Sequence, residues 1–490
     1  MLDIDANKYF NKIIQALILI LATIIILYVS INFNWILGIG VGLLPILLFA
    51  SLYIIPNPYW ALISVFILNY YIMGSTRYLD IISGGGVMDI SLIYVLVSLI
   101  FYNFKTRLID LKKLNTPIFY GVLLWFIYCL LELFNPETVT IKSWFTGARG
   151  VSIYFLLIVI FTLLICNKYK QMKTIILIWS ILTLTAVAKC LMQKYFGFDS
   201  AETRWLYEGG DKTHIISSGI RYFSFYTDAA NFGAGMGFSF ISFFIFTIGE
   251  KNKKLKFYYL LVASLAFYGM MLSGTRAAIA VPFIGLASYV VLSKNIKSII
   301  IGSIILVSIF IFFKYTEKGN SYSEIRRMRT AFDPKGDASY LIRKANQTKL
   351  VNLMDNKYFG YGIGMGGGKA KQYDSNSAIA QIPTDSWFVM IWVETGLIGL
   401  IINIGVLLFI FLYAAYIITF KIRDKELRIY LIGFFGGTLG MTIASYANEI
   451  FGQFPNGFII YTGLSFLYLG IYFDKEIEEN KNLISLKANE

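Results

Sequence analysis

Apolar runs of about 17 to 22 residues recur along the chain, and a helix of that length spans the hydrocarbon core of a bilayer. Charged residues make up 15% of the 490 residues and hydrophobic residues 57%, whereas soluble domains contain about 25% charged residues. We therefore predict an all-α polytopic membrane protein with about 12–14 transmembrane helices. The predicted spans lie near 13–31, 35–55, 58–74, 87–103, 118–134, 150–166, 174–192, 229–248, 257–272, 277–293, 298–314, 396–420, 429–448 and 456–474.

The loops between these spans differ in their content of basic residues, which orients the chain. Loops of one parity hold 17 Lys and Arg residues and the short loops of the other parity hold four. Because basic residues are retained on the cytoplasmic side, both termini are predicted to be cytoplasmic. The basic loops are 104–117, 167–173, 249–256, 294–297 and 421–428, and the opposite short loops are 75–86, 135–149, 273–276 and 449–455.

This orientation predicts a division of the chain into four parts. Residues 1–314 hold transmembrane helices 1–11 and an outer loop at 193–228. A large periplasmic loop covers 315–387, C-terminal transmembrane helices cover 388–474, and 475–490 form a cytoplasmic tail. Residues 386–395 are expected to dip into the membrane or to cap it. The apolar stretch near the N-terminus has no small-residue cleavage site, so we interpret it as an uncleaved span rather than a signal peptide.

The net charge of +14 does not indicate nucleic-acid binding, because the five cytoplasmic loops hold 17 basic and four acidic residues and so account for +13 of it. The kind of cation is more informative. Fourteen of those 17 are Lys, whereas the outward loops contain nine Arg. Arginine binds phosphate through a planar fork, so the outward arginines indicate a phosphate or diphosphate ligand. The alternative is surface pairing with carboxylates.

Metal and cysteine chemistry receive little support from the sequence. Cys129, Cys166 and Cys190 lie in apolar stretches without C-x-x-C spacing and are interpreted as small core residues. His214 is the single histidine of the chain, which excludes a His-rich site. The aspartates of the 315–387 loop match no recognised metal cage. We expect no metal and no cofactor.

The 315–387 loop is too long to be a structureless connection and is expected to be functional. Ser321–Glu324 has the pattern of a capping box before one short amphipathic helix, and a second is predicted at 338–354. A glycine-rich run at 360–368 contains G-x-G-x-x-G but lacks the strand that a nucleotide site requires. A tight turn that offers N–H groups to an anion fits better.

Carboxylates and further arginines stand close to predicted span ends. Asp385 and Glu394 lie at the head and in the body of an apolar helix, where acidic groups are costly unless paired or functional. Asp385 could also be a simple helix cap. Glu132 and Lys189 lie within predicted spans, where they either form ion pairs or reach an aqueous cavity. Arg276 lies in a four-residue outer turn and is expected to be engaged.

The ordered set of these pieces resembles the O-antigen ligase and O-antigen polymerase (Wzy) superfamily of envelope glycosyltransferases. The resemblance covers roughly residues 140–420. It is carried by Arg221-Tyr-Phe-Ser, Asp228-Ala-Ala-Asn231, Ser273-Gly-Thr-Arg276, Arg343 with Gly360-Tyr-Gly-Ile-Gly364, and Asp385-Ser386 with Glu394-Thr-Gly-Leu-Ile-Gly399. It implies a GT-C-like membrane fold. Members of the family carry His-Asn where this chain has Asp385-Ser386, which favours a polymerase over a ligase.

Residue roles are carried over from this resemblance. It implies that Arg221, Arg276 and Arg343 bind the lipid diphosphate, with Arg149 as a less specific basic position. Asp385 and Arg343 are the expected catalytic residues, with Asp385 orienting or deprotonating the acceptor. Supporting roles are expected for Glu394 and Asp228.

The resemblance also implies the reaction and its partners. The chain is expected to polymerise undecaprenyl-diphosphate-linked oligosaccharide repeat units on the periplasmic face of the bacterial inner membrane. Membrane lipids and a chain-length regulator are expected partners, and nucleic acid is not. Alternatives are an O-antigen ligase that transfers glycan to lipid A–core, a lipid-linked oligosaccharide flippase, and a cell-wall polymerase of the shape–division family.

Overall fold

The structure is a computed structural model, and it describes residues 54–79, 83–106, 109–216, 219–332 and 338–488. Two units are distinguished within the chain: residues 1–61 with 93–108, and residues 62–92 with 109–490. In the first unit, the Ser98 hydroxyl donates a hydrogen bond to the carbonyl of Ile55 at 2.6 Å. The side-chain contacts and the site that are described below lie within the second unit.

The described residues are overwhelmingly helical. The α-helices are α1 Pro58–Ser75, α2 Gly84–Thr106, α3 Pro117–Leu131, α4 Ile141–Ala148, α5 Tyr154–Ile165, α6 Tyr169–Tyr195, α7 Ser200–Trp205, α8 Asp211–His214, α9 Ala229–Gly249, α10 Lys253–Leu272, α11 Ala280–Leu292, α12 Ile296–Tyr315, α13 Ser323–Arg329, α14 Ala338–Leu353, α15 Trp387–Tyr416, α16 Lys425–Ala444 and α17 Asn456–Ala488. A short antiparallel hairpin pairs β1 Ile215–Ile216 with β2 Gly219–Ile220.

Tighter and wider helical turns extend several of these elements. The 3₁₀ segments are Leu111–Leu114, Glu132–Phe134, Arg276–Ile279, Thr330–Phe332, Gly367–Gln372 and Ile379–Gln381. The π-helical segments are Arg149–Ile153, Leu206–Gly210 and Ile417–Lys421. The π-helical turn at Arg149–Ile153 joins α4 to α5, so one apolar helical stretch runs over Ile141–Ile165.

The expectation of an all-α polytopic membrane protein is confirmed. Within the described ranges, nine helical stretches are long and apolar enough to cross a membrane: Gly84–Thr106, Pro117–Phe134, Ile141–Ile165, Tyr169–Tyr195, Ala229–Gly249, Lys253–Leu272, Trp387–Lys421, Lys425–Ala444 and Asn456–Leu483. Arg276–Leu292 and Ile299–Tyr315 are shorter apolar helices, and α1 coincides with the predicted span 58–74. The predicted spans 13–31 and 35–55 lie outside the described residues, except for the last two positions of the second.

Glycines allow the central helices to approach one another closely. Helix α16 packs against α9 and α11. A Cβ on Gly440 would lie 2.6 Å from the carbonyl oxygen of Val281, and one on Gly437 would lie 2.2 Å from the ring of Phe238. Small residues at helix contacts are typical of membrane bundles, where close backbone approach replaces the hydrophobic driving force.

The short helices of the 315–387 connection pack on the bundle through apolar residues. Ile325 and Met328, one turn apart on α13, contact a cluster that contains Ile279 and Phe313. The predicted capping box is wrong: α13 begins at Ser323, so the N-cap position falls on Tyr322, which makes no side-chain capping bond. On α14, Leu350 packs with Met354, Ile379 and Val393.

For residues 386–395 the sequence predicts a membrane dip or a cap, and all of them except the N-cap Ser386 belong to helix α15. The helix breaks at Gly396, whose φ of 68° lies in the left-handed region. A Cβ there would lie 1.9 Å from the carbonyl oxygen of Tyr358, so the glycine run and α15 are in direct backbone contact. The amide of Gly362 donates to the carbonyl of Glu394 at 2.9 Å in the same region.

Lys189 and Glu132, the two charged residues singled out within predicted spans, have protein partners. The Lys189 ammonium lies 2.8 Å from Asp199 and 3.0 Å from Glu202, so it pairs. Glu132 accepts a hydrogen bond from the side chain of Asn135 at 2.8 Å. The three cysteines are free and buried, as expected of small core residues.

Candidate active site

Connections that are distant in sequence meet at one end of the helices in the second unit. The 193–228 connection reaches the turn at Ser273–Arg276 through Arg221 and Thr275. That turn contacts Thr330 through Arg276, and the 315–387 connection reaches residues 445–455 through Arg343. We call the end of the helices at which these connections meet the arginine end.

The buried side chain of Arg77 fixes the segment that carries Arg221. The guanidinium of Arg77 donates to the carbonyls of Ser224 at 3.0 Å and of Thr227 at 3.2 Å, and it stacks on the rings of Trp205 and Phe223. Burial lowers the pKa of Arg77 to about 10, so it remains cationic at neutral pH. Arg77 therefore acts as a structural cation.

Asp228 and His214 organise the N-terminus of α9. Asp228 accepts from the amides of Ala230 at 2.7 Å and Asn231 at 2.8 Å, which is N-capping geometry. His214 Nε2 accepts from the amide of Ala229 at 3.1 Å, while Nδ1 lies 2.9 Å from the carbonyl of Gly210. An acceptor Nε2 requires the proton to be on Nδ1. Burial lowers the pKa of His214 to about 4, so the ring is neutral at pH 7.

Arg221 and Arg276 converge on the same short turn. Arg221 donates to the carbonyl of Thr213 and to the hydroxyl of Thr275, both at 3.0 Å. Arg276 Nη1 donates to the hydroxyl of Thr330 at 3.2 Å. Burial lowers the pKa of Arg221; Asp228 opposes this shift and the positive charge of Arg276 adds to it. The structure thus brings these two predicted residues together.

A third arginine joins them, which the sequence reasoning did not select. Gly274 has a φ of 56°, and a Cβ there would lie 2.7 Å from Nη1 of Arg327. Burial and the charges of Arg221 and Arg276 lower the pKa of Arg327 to about 10. Within the described part of the chain, its guanidinium makes no recorded hydrogen bond or ion pair. We call Arg221, Arg276 and Arg327 the arginine cluster.

Residues 445–455 gather the remaining predicted residues of the 315–387 connection. Arg343 donates to the carbonyl of Ala447 at 2.9 Å. The amide of Trp387, at the start of α15, donates to the carbonyl of Ser445 at 3.0 Å. The hydroxyl of Thr384 donates to Glu449 at 2.5 Å. Arg343 and the start of α15 are therefore held by one turn.

Asp385 lies at this turn but faces away from protein partners. Its side chain is exposed and its φ of 51° is left-handed. The N-cap position of α15 is Ser386, which makes no side-chain capping bond. The structure therefore gives Asp385 no capping role, and its carboxylate makes no recorded hydrogen bond to the described residues.

A cavity of about 240 Å³ lies beside this turn. The two acidic residues of its lining are Glu394, which is 3% exposed, and Glu449. Glycines 364, 366, 367 and 368 supply another part of the wall. The close approach of this run requires glycine: a Cβ on Gly364 would lie 2.2 Å from the carbonyl oxygen of Ser143. The tight turn predicted for the glycine run is confirmed.

Arg149 lines the cavity in a setting different from that of the arginine cluster. Its guanidinium forms an ion pair with Asp89 at 2.8 Å, and the Tyr154 hydroxyl donates to the same carboxylate at 2.7 Å. Gly85 allows this placement, because a Cβ there would lie 3.0 Å from Nη1 of Arg149. Arg149 is thus already paired with a protein carboxylate.

A hydrogen-bonded path links the cluster region with the cavity. Asp228 accepts from the side chain of Asn231 at 2.8 Å. The side chain of Asn456 donates to the carbonyl of Asn231 at 2.8 Å, and Asn456 directly follows the 445–455 connection. The described residues contain no group of three or more His, Cys, Asp or Glu arranged to hold a metal ion.

Two comparisons with known proteins bear on this arrangement. A family model described as Wzy_C, O-antigen ligase, matches residues 260–404. A protein of Salmonella muenchen named O-antigen polymerase is 25% identical over 325 residues, which cover 60% of this chain and 75% of that protein. Both support the O-antigen ligase and polymerase superfamily. One name describes a ligase and the other a polymerase, so they agree on the superfamily and differ in the reaction.

The superfamily match covers part of the site. The matched range, residues 260–404, includes Arg276, Arg327, Arg343, Asp385 and Glu394. Arg221 and Glu449 lie outside this range and join the site only through the fold.

Sequence reasoning missed Arg327, Glu449 and the Asp89 partner of Arg149. A signal existed for Arg327, because it stands in the basic run Ile325–Arg329 of the 315–387 connection. Glu449 lies in a short loop without basic residues, and nothing in its local sequence indicates that Thr384 contacts it. Asp89 lies 60 residues from Arg149, a pairing that only tertiary structure reveals.

Proposed function

We propose that the chain is a membrane glycosyltransferase that polymerises undecaprenyl-diphosphate-linked oligosaccharide repeat units. The observation that carries this proposal is the convergence of Arg221, Arg276 and Arg327 on the turn at Ser273–Arg276. Three cations in one place repel one another, and the lowered pKa values of Arg221 and Arg327 reflect burial together with this repulsion. A diphosphate would offset both effects through charge-assisted hydrogen bonds.

The chemistry of such a donor fits this cluster. The donor sugar is already activated by its diphosphate, so the transfer needs neither ATP nor a nucleotide sugar. When the bond at the anomeric carbon breaks, negative charge builds on the leaving diphosphate. Guanidinium groups that are already held together near this position would stabilise the charge with little reorganisation. Arg221, Arg276 and Arg327 are proposed to bind the diphosphate.

The other predicted residues take more specific roles in this proposal. Arg343, held on Ala447 beside the cavity, is proposed to contact the donor near the reacting carbon. Asp228 supports the cluster by capping α9, and Glu394 supports the cavity wall. Arg149 is proposed to shape the cavity through Asp89 rather than to bind diphosphate. Asp385 stays a candidate for contact with the acceptor from the exposed side.

The site is proposed to face the periplasm of a bacterial inner membrane. This side is inferred from the distribution of basic residues, since the loops of the opposite end hold 17 Lys and Arg and the short loops of this end hold four. In the same proposal, 315–387 is the large periplasmic loop and 475–490 the cytoplasmic tail. Undecaprenyl-linked glycan, membrane lipids and a chain-length regulator are the proposed partners.

Polymerisation is favoured over ligation by the residues at the start of α15. The superfamily's His-Asn is replaced by Asp385-Ser386, and His214 is committed to the N-terminus of α9 through both ring nitrogens. No histidine is therefore placed to activate a lipid A–core hydroxyl, because His214 is the single histidine in the sequence.

The test is a reconstituted reaction with defined acceptors. The purified full chain in lipid vesicles receives the undecaprenyl-diphosphate-linked repeat unit, with or without lipid A–core, and products are separated by size. We expect a ladder of longer lipid-linked glycans without lipid A–core. Transfer to lipid A–core without a ladder would support a ligase instead. Movement of the intact repeat unit between leaflets without any new glycosidic bond would support a flippase.

A further inference from the structure

We propose that the cavity lined by Glu394, Glu449 and the glycine run binds one sugar ring of the acceptor glycan, and that Glu449 takes the proton from the attacking hydroxyl. This inference rests on the proposed function, because it names the second substrate of the same reaction. It assigns to the acceptor a binding site that is separate from the arginine cluster.

The size and lining of the cavity fit a single sugar ring. Its volume of about 240 Å³ is below the roughly 300–1,000 Å³ of pockets that hold drug-sized ligands. Tyr154, Tyr373, Trp387, Phe451 and Phe454 contribute aromatic surface to the lining. A sugar ring has hydroxyl groups and apolar C–H faces. The carboxylates of the lining can accept hydrogen bonds from the hydroxyl groups, and the aromatic rings can contact the C–H faces.

An unsatisfied donor beside the cavity points to a polar ligand. Trp387 is 3% exposed, and its indole N–H has no hydrogen-bond acceptor among the described residues. A buried donor without an acceptor is costly, and native structures rarely tolerate one without a ligand or water. A hydroxyl or ring oxygen of a sugar would accept this hydrogen bond. The backbone of Trp387 is fixed by Ser445.

Glu449 is better placed for proton transfer than Asp385. Thr384 holds Glu449 through one carboxylate oxygen, Oε1, at 2.5 Å. The second oxygen accepts no recorded hydrogen bond from the described residues. Asp385 is exposed and does not line the cavity. A general base must lie within hydrogen-bond reach of the proton that it removes, which favours the carboxylate that lines the acceptor site.

The proposed step conserves atoms and charge. The acceptor hydroxyl oxygen forms a bond to the anomeric carbon of the donor while the bond from that carbon to the diphosphate oxygen breaks. The electron pair of the broken bond leaves with the undecaprenyl diphosphate, which the arginine cluster stabilises. The hydroxyl proton passes to Glu449 and is then released to solvent. No oxidant, reductant or further reactant takes part.

The first experiment compares Glu449→Gln with Glu137→Gln in the vesicle assay. Glu137 is an exposed carboxylate paired with Lys357 and serves as the matched control. The repeat-unit oligosaccharide released from its lipid by mild acid is the acceptor, at varied concentration. We expect Glu449→Gln to lower kcat by about 100-fold or more, with KM for the acceptor changed less than about threefold. Glu137→Gln should retain the wild-type kcat.

The second experiment tests the cavity without altering a carboxylate. Trp387→Phe keeps an aromatic ring and removes the N–H donor, and we expect KM for the acceptor to rise about tenfold. Gly368→Trp adds bulk at a lining position where a Cβ meets no atom within 4 Å, and it should raise KM further. Gly405→Trp, at another position with open space, is the control and should leave KM unchanged.

The outcomes separate the two proposals. If the wild-type chain makes no glycan product with any acceptor, the proposed function is wrong, whatever the variants do. If the wild type polymerises and Glu449→Gln keeps its rate within about threefold, the role of Glu449 is wrong while polymerisation stands. Unchanged KM in both Trp387→Phe and Gly368→Trp would likewise overturn the acceptor site alone.

Discussion

The two ends of the helices in the second unit differ in the groups that contact their cationic side chains. At the end opposite the arginine end, which we call the lysine end, Lys173 lies 2.9 Å from Glu250 and 2.8 Å from Glu426. Lys481 lies 2.7 Å from Asp424 in the same region. These cations are neutralised by protein carboxylates, so the network is complete without a ligand.

Two members of the arginine cluster, Arg221 and Arg327, lie against neutral groups instead. Arg221 donates to a carbonyl and a hydroxyl, and Arg327 lies against Gly274 without a recorded acceptor among the described residues. Other cations of the same end do pair, since Arg149 binds Asp89 and Lys189 binds Asp199. Arg221 and Arg327 therefore differ from these paired cations of the same end, which supports a place for an anion at the cluster.

Arg221→Ala should give the largest effect on activity. Loss of one preorganised donor to a developing negative charge typically lowers the rate by about 100- to 1,000-fold, or about 3–4 kcal/mol. We expect a decrease of this size in the polymerisation rate of purified protein in vesicles. Because Arg221 also holds Thr213 and Thr275, thermal stability must be measured in parallel. Arg221→Lys should recover part of the rate, and wild-type activity in Arg221→Ala would remove the cluster from the mechanism.

Lys173→Ala tests the opposite half of the comparison. It leaves Glu250 and Glu426 without their shared cation, and we expect a loss of roughly 2 kcal/mol in the free energy of unfolding. Thermal denaturation in detergent measures this loss, and the polymerisation rate of the folded fraction should remain near wild type. Lys170→Ala, an exposed neighbour, is the control and should change neither quantity. A large loss of rate at unchanged stability would contradict a purely structural role for the lysine end.

The sequence predicted most of the spans but only part of the site. Long apolar runs report helices directly, because a bilayer requires both the length and the apolar composition. The helices at 229–249 and 425–444 therefore lie within a few residues of the predicted spans. The break at Gly396 was not predicted, because it depends on contact with the carbonyl of Tyr358.

Contacts between distant connections explain what the sequence did not reveal. Arg221 and Arg276 were selected by their motifs and do meet at one turn. Arg327 lies in the same loop as Arg326 and Arg329, and composition alone cannot choose among them. The packing of Met328 and Ile325 against the bundle fixes the rotation of α13 about its axis. In that rotation Arg327 lies against Gly274.

The rotation of α13 leads to a prediction of intermediate size. Arg327→Ala should lower the polymerisation rate about tenfold, which equals about 1.4 kcal/mol, because one of the three cations proposed to bind the diphosphate is lost. Arg326→Ala, at the neighbouring exposed position of the same helix, should change the rate less than about twofold. Equal losses in the two variants would mean that the loop contributes only general positive charge. Both rates are measured with the undecaprenyl-linked repeat unit as donor.

The smallest expected effect concerns pH and the neutral His214 beside the cluster. Burial lowers the pKa of His214 to about 4, whereas the unfolded chain has the ordinary value of about 6.5. As pH falls below about 6.5, the unfolded state therefore binds a proton that the folded state does not, and stability is lost. The difference between about pH 7.5 and pH 5.5 is roughly 1 kcal/mol. Thermal unfolding of His214→Gln, which cannot titrate, should depend less on pH by that amount. An identical pH dependence in the variant and the wild type would mean that folding does not lower the pKa of His214, so that the ring is protonated in the folded state at pH 5.5 and adds a cation to the arginine end at that pH.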